Sequence, residues 1–346
     1  MPRPCGASHA DFSAGAAICY TASKMSTDKQ PPNDGPARDA RSLRDEPRIE
    51  HLVWRRSAFR NIVHLRPLTR LIRTVGYSIR ARRFVAAPAQ AIDPNGHSMN
   101  WRDGLVATVA FNRPDLTRWQ IHLVRRHLAE ANAFIVFDNS SDPRQRDEIR
   151  AACAETGVPY VSLPANGFRT SRSHGAALNW IFRNYISRAE PAFFGFLDHD
   201  IFPIEPVSIR AKLEGHGVYG VPRNDTPTMG GWFLWAGYCF FAGKYARQRL
   251  DFFPTERYAM DTGGGNWPLI YRDIPAADVQ IAEISWARAG AGDSMFEDFF
   301  QIVDGWLHVV NASHWKQTRS DRGAELLRIL RQAAGPDVPD MPIQRI

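Results

Sequence analysis

The sequence predicts an α/β fold built on a mostly parallel sheet flanked by helices, and three observations carry that prediction. Between residues 105 and 197, short apolar runs alternate with helix-period segments, the pattern of βαβ units with right-handed crossovers. The runs close on polar clusters at Asn112-Arg113, at Asp138-Asn139-Ser140-Ser141 and at Asp198-His199-Asp200. In such sheets ligands sit outside the carboxyl ends of the strands, so three clusters on one rim point to one site rather than to three separate turns.

The elements follow in order. Residues 1–50 are rich in Pro, Gly, Ser and Ala without periodicity and read as a disordered tail. Over 51–84 the apolar residues from Leu52 to Ile79 recur at mostly helical intervals with arginines between them. Residues 51–99 are therefore expected to form a basic amphipathic helical segment, interrupted near Pro67, and a linker. The folded domain, 100–318, opens with a strand over 105–111 and a helix over 116–132, in which Trp119, Leu123 and Leu128 are spaced to face a sheet. Strands over 133–137 and 158–163 flank a helix over 144–157, and a helix over 173–187 leads into the apolar run 193–197. Further strands are expected near 218–225 and 305–315, with a C-terminal helix and tail over 319–346.

Charge and cysteine content narrow the function. The formal net charge is +7, and between Glu50 and Asp93 there are nine arginines and no acidic residue. The partner of that segment should be anionic. An anionic membrane surface fits residues 51–84, packing on the folded domain fits equally well, and nucleic acid fits less well because no reading motif is present. Cys5, Cys19, Cys153 and Cys239 are scattered without a zinc or disulfide spacing, which suits a reducing compartment. The expected location is the cytoplasm, either free or peripheral to a membrane; no apolar stretch approaches the roughly 20 residues a span requires.

The chemistry centres on Asp198 and Asp200. A buried strand ending in two carboxylates one residue apart suits a hard divalent cation and the diphosphate it carries. Its rival is a pair of turn aspartates that merely ends the strand.

In order and spacing, the loop Phe111-Asn112-Arg113-Pro114, the strand end Phe137-Asp138-Asn139-Ser140-Ser141, the segment from Ser171 to Asn179 and the Asp198-x-Asp200 motif resemble the GT-A glycosyltransferases, in a family-two-like form. The resemblance implies a Rossmann-like GT-A domain that uses a nucleotide-sugar donor with Mn2+ or Mg2+. By that resemblance Asp138 hydrogen-bonds the base or ribose, with Asn112 and Arg113 close by, and the helix carrying Asn179 lines the donor pocket. Arg172 pairs with the diphosphate, unless it is a solvated surface residue. Asp200 is the better metal ligand, Asp198 reaches the ribose or a metal-bound water, and His199 is structural. A C-terminal histidine, His308 in preference to His314, adds a metal ligand, and Trp232 touches the sugar or acceptor.

Asp261 precedes Gly263-Gly264-Gly265, three glycines that permit close backbone approach to a ligand. It is a candidate general base toward the acceptor hydroxyl, with a turn or N-cap role as its rival; Asp293, Glu297 and Asp298 are lesser candidates. The expected activity is hexosyltransferase-like: sugar passes from a nucleotide-sugar donor to a hydroxyl of a glycan, lipid or protein. A related-fold nucleotidyltransferase is the rival enzyme, and the glycine-rich basic signature it needs near its first strand is missing. A non-catalytic membrane-peripheral nucleotide-binding scaffold is the other rival, and the intact aspartate pair argues against it.

Overall fold

The apolar runs become the centre of a sheet. In the computed structural model, which describes residues 66–93, 100–223, 231–255, 260–289, 299–310, 312, 320–336 and 341–343, β2 (Leu105–Ala110), β3 (Phe134–Asp138), β4 (Tyr160–Ser162) and β5 (Phe193–Asp198) are parallel in the order β4-β3-β2-β5. Every residue of β2, β3 and β4 is buried, and every residue of β5 except Asp198. Strands covered on both faces read as continuous apolar runs rather than alternating ones, which is why these were visible in the sequence.

Helices α2 (Pro114–His127), α3 (Pro143–Thr156) and α4 (Thr170–Ile181) make the crossovers. Pro114 and Pro143 occupy first turns, where the missing N–H costs nothing. The Asp142 side chain caps α3 by accepting from the Arg144 N–H, and Gly157 ends it at φ 68°, a left-handed conformation suited to glycine. α4 continues through a π-helical turn, Phe182–Ile186, to Ala189, and a short helix, α5 (Ile209–Leu213), follows later in the chain.

Further strands extend the sheet on both sides. β8 (Phe233–Ala242) pairs antiparallel with β5, β7 (Val218–Arg223) antiparallel with β8, and β9 (Val279–Ile281) parallel with β7, while β1 (Ala91–Ile92) borders β4 antiparallel. A second, wholly antiparallel sheet has the order β10-β11-β12-β6, from β10 (Ile284–Arg288), β11 (Phe299–Val303), β12 (Trp306–His308) and β6 (Ile201–Pro203). Because β6 starts just after β5 ends, the residues between them hand the chain from one sheet to the other. Asp200 lies at that junction.

Three apolar clusters hold the layers together. One includes Phe194, Phe196 and Phe241 with Trp180 of α4, and a second joins Val106 and Val136 to Ile121 and Val124 of α2. The third packs Leu116, Trp119 and Leu123 of α2 against Phe202, Leu307 and the residues Leu326, Ile329 and Leu330 of α6 (Ser320–Ala334). The C-terminal helix is therefore part of the core.

Of the basic segment, α1 (Arg66–Ala86) is described; the expected tail over 1–50 and the residues through 65 lie outside the described residues. Pro67 sits in the first turn of α1, a position it tolerates. Tyr77, Ala81, Phe84 and Val85 pack on the first cluster. Side chains from α4 and its extension hold the end of α1 by donating to backbone carbonyls, Trp180 Nε1 to Ala87 O at 2.9 Å and Asn184 Nδ2 to Val85 O at 3.0 Å. Every described residue lies in the unit Val53–Ile346. Cys153 and Cys239 are buried free thiols, and no described helix is long and apolar enough to cross a membrane.

Candidate active site at the strand ends

A cleft of about 1230 Å³ opens where the parallel strands end, lined by residues that include Asp198, Asp200, Asp261 and His308. Its floor is fixed by backbone hydrogen bonds around the aspartate motif. Gln120 of α2 donates from Nε2 to the carbonyls of Asp198 at 2.7 Å and Ile201 at 2.8 Å, pinning both ends of the turn. The Val309 N–H donates to Asp200 O at 2.9 Å, and His308 is in register with Ile201. Strand pairing thus brings a residue more than a hundred positions away beside Asp200.

The protonation of His308 follows from its neighbours. Its Nδ1 lies 2.8 Å from Gln301 Oε1, an oxygen that only accepts, so Nδ1 carries the proton. Nε2 then presents a lone pair 3.8 Å from Asp200 Oδ1. Burial pushes the His308 pKa down to about 3, so the ring is neutral. Trp235 packs against it with ring centroids 4.4 Å apart.

The carboxylates are poorly compensated by protein charge. Burial, and then the nearby Asp198, hold Asp200 well above the usual carboxylate range, against the N–H groups of Asp200 and Ala312 and the charge of Arg113. Asp198 is also raised, chiefly by burial, with Asp261 adding to the rise and His174 opposing it. His174 Nε2 is 3.4 Å from Asp198 Oδ1 and makes no hydrogen bond.

Two carboxylates and a bare imidazole nitrogen are a donor set that could hold a divalent cation. Among the described residues no three His, Cys, Asp or Glu side chains form a ligand group by themselves. An ion held here needs ligands from outside this group of side chains as well.

Asp261 meets this floor from another loop. Its Oδ1 accepts from the Thr262 N–H at 2.8 Å, and Thr262 Oγ1 donates to Ser171 O in α4 at 3.0 Å. The adjacent glycines approach the protein's own chain rather than the cleft: a Cβ at Gly265 would lie 2.5 Å from Asp251 O, and one at Gly264 would run into Met260. Thr170, Ser171, Ser173 and His174 from the first two turns of α4 complete the wall together with Arg169 and Arg223.

Six of the expected contact residues are not among those that line the cleft. Arg113 is 2% exposed; Nε and Nη2 fork onto Asp115 at 2.9 and 2.7 Å, and Nη1 donates to Ala312 O at 2.8 Å. Asp138 accepts from the Ser140 N–H and the Tyr160 hydroxyl, and burial raises its pKa. Asn112, at φ 50°, donates its N–H to Ser140 Oγ and accepts at Oδ1 from the N–H groups of Ser141 and Asp142, tying two loops together. Arg172 lies over the Tyr77 ring at 4.3 Å. Asn179 donates to Asp251 and accepts from the Phe252 N–H. Trp232 packs on Tyr271, with centroids 4.9 Å apart.

His199 is buried, as expected of a structural residue, although it touches the cleft. His314, Asp293, Glu297 and Asp298 lie outside the described residues. The sequence reading missed His174, Gln301, Trp235 and Trp286, all on the cleft wall. Of these, His174 carried a signal, one helical turn into the segment that opens α4.

No family model matches this chain, and neither does any curated protein. Among solved structures it is similar to the mannosyltransferase PcManGT from Pyrobaculum calidifontis in complex with GDP-Man and Mn2+, at 16% identity and a TM-score of 0.29, over 49% of this chain and 51% of that one. An active-site mutant of LgtC aligns at 12% identity and a TM-score of 0.35, over 51% of this chain and 72% of that one. The mannosyltransferase Ktr4p from S. cerevisiae aligns at 9% identity and a TM-score of 0.29, over 54% and 68% of the two chains. The chain thus spans about half the length of the PcManGT structure, and likenesses this partial leave the functional reading to the residues of the cleft.

Proposed function

We propose that the chain is a metal-dependent glycosyltransferase that moves a sugar from a nucleotide-sugar donor to an acceptor hydroxyl. The observation that carries the reading is the meeting of Asp198, Asp200 and His308 in one cleft with Asp261. Asp200 and His308 hold the cation, and Asp198 reaches the donor ribose. Bound there, the cation supplies positive charge to the donor diphosphate and to the nucleoside diphosphate as it departs. Arg169 and Arg223 offer guanidinium forks to phosphate oxygens, and the first turn of α4 offers N–H groups and the positive end of its dipole.

Asp261 takes the proton of the acceptor hydroxyl while that oxygen forms its bond to the sugar carbon and the bond to the diphosphate oxygen breaks. Trp235 and Trp286 present aromatic faces to the sugar and acceptor rings. A screen of nucleotide-sugar hydrolysis tests the proposal. It predicts release of nucleoside diphosphate from at least one donor, abolished by chelation and in Asp200→Ala. No turnover of any donor with either Mn2+ or Mg2+ contradicts it.

A further inference from the structure

Helix α1 carries apolar residues on two opposite sides. At about 100° per residue, Tyr77, Ala81, Phe84 and Val85 fall on the side that packs into the domain. Ile72, Val75 and Ile79 fall on the other side and remain 62%, 48% and 48% exposed. A helix that only packed on the domain would present polar residues outward. The open stripe is flanked by Arg82 and Arg83, both exposed. Arg80 is committed elsewhere, over the rings of Tyr77 and Phe168 at 5.9 and 5.6 Å.

We propose that this outer side of α1 docks on an anionic lipid surface, with Ile72, Val75 and Ile79 entering the boundary between headgroups and acyl chains and the arginines meeting lipid phosphates. Charge selects this occupant. The absence of any acidic residue between Glu50 and Asp93 means that a second copy of the chain would bring arginines against arginines, and like charges facing one another oppose association. An anionic bilayer supplies the apolar layer and the negative charge together. The lipid contact is separate from the cleft, since none of these residues lines it.

Co-sedimentation of the full-length chain with vesicles tests the proposal. Vesicles of phosphatidylcholine alone are compared with vesicles containing about one-third phosphatidylglycerol. The chain should sediment with the anionic vesicles, much less with the neutral ones, and less again as salt shortens the reach of the charges. Ile72→Ser with Ile79→Ser, and separately Arg82→Glu with Arg83→Glu, should each weaken partitioning by about tenfold or more. These side chains are exposed, so the thermal midpoint and nucleotide-sugar hydrolysis should stay as in the parent. Equal sedimentation with both vesicle types, no sedimentation with either, or unchanged binding in both double variants overturns the proposal. A monomer–dimer equilibrium abolished by the Ile72/Ile79 variant, without vesicle binding, would overturn it in favour of a second copy.

Discussion

Gln301 decides which nitrogen of His308 faces Asp200. Its carbonyl oxygen fixes the proton on Nδ1, and groups that set the tautomer of a ligating imidazole typically account for 10–100-fold in metal affinity. Gln301→Leu should therefore weaken Mn2+ binding by about that factor in calorimetry with nucleoside diphosphate present, with the fold intact by circular dichroism. An unchanged affinity would remove His308 from the ligand set. Asp261 makes a different prediction, because a general base acts on the reaction and not on the donor. Asp261→Asn should leave donor affinity nearly unchanged and slow transfer by on the order of 100-fold or more; normal transfer would place the base elsewhere. At this scale the sequence was partly legible. Asp198 and Asp200 stand out because they close an apolar strand one residue apart, a position that turn aspartates also take. Gln301 and His174 do not, because their importance comes from what pairing and packing set beside them.

β8 shows how an element can hide a site. Its register with β7 shifts between Gly220 and Pro222, and the extra residues on β8 lie between Leu234 and Cys239. That irregularity breaks the alternation of faces and brings Trp235 onto His308. An aromatic count along the sequence selects Trp232 just as readily, since the bulge depends on the partner strand. Gly237, inside the bulge, leaves room for the Asp198 carboxylate, which a Cβ there would strike. Gly237→Ala should displace Asp198, destabilise the chain by about 1–3 kcal/mol in denaturant titration and weaken metal-linked nucleotide binding. A variant of unchanged stability and affinity would contradict this account of the bulge.

Helix α2 adds a pH dependence. His127 lies 2.9 Å from Ala333 O in α6, and burial holds its pKa below the ordinary 6.5, with Arg126 adding to the depression against the Ala333 bond. His122 is lowered for the same first reason. A histidine depressed on folding binds fewer protons in the folded chain, so its stabilisation is complete above pH 6.5 and is lost as pH falls below it. The thermal midpoint should fall between about pH 7.5 and pH 5.5, and less steeply in His127→Gln, which keeps a donor for Ala333. An identical slope in the variant would mean that other groups control the acid sensitivity.

Two sheets of the molecule are joined at the turn that carries Asp200. The parallel strands were readable because burial on both faces leaves each a continuous apolar run, and the helices between them because their apolar periods are long. The second sheet was largely unreadable. β6 and β12 have three residues each, and their pairing depends on partners about a hundred positions apart rather than on local pattern. The sequence therefore pointed to the aspartates that end β5 and, through the resemblance, to His308, while the strand pairing that sets His308 beside Asp200, and the absence of Arg113 and Asp138 from the cleft lining, became visible only in three dimensions. The central claim is that this junction binds a divalent cation and a nucleoside diphosphate together. Calorimetry of uridine and guanosine diphosphate, with and without Mn2+, on the parent chain and Asp200→Ala tests it most directly. The account predicts binding strengthened by Mn2+ about tenfold or more in the parent and indifferent to Mn2+ in the variant. The same dependence on Mn2+ in both proteins, or none in the parent, would contradict it.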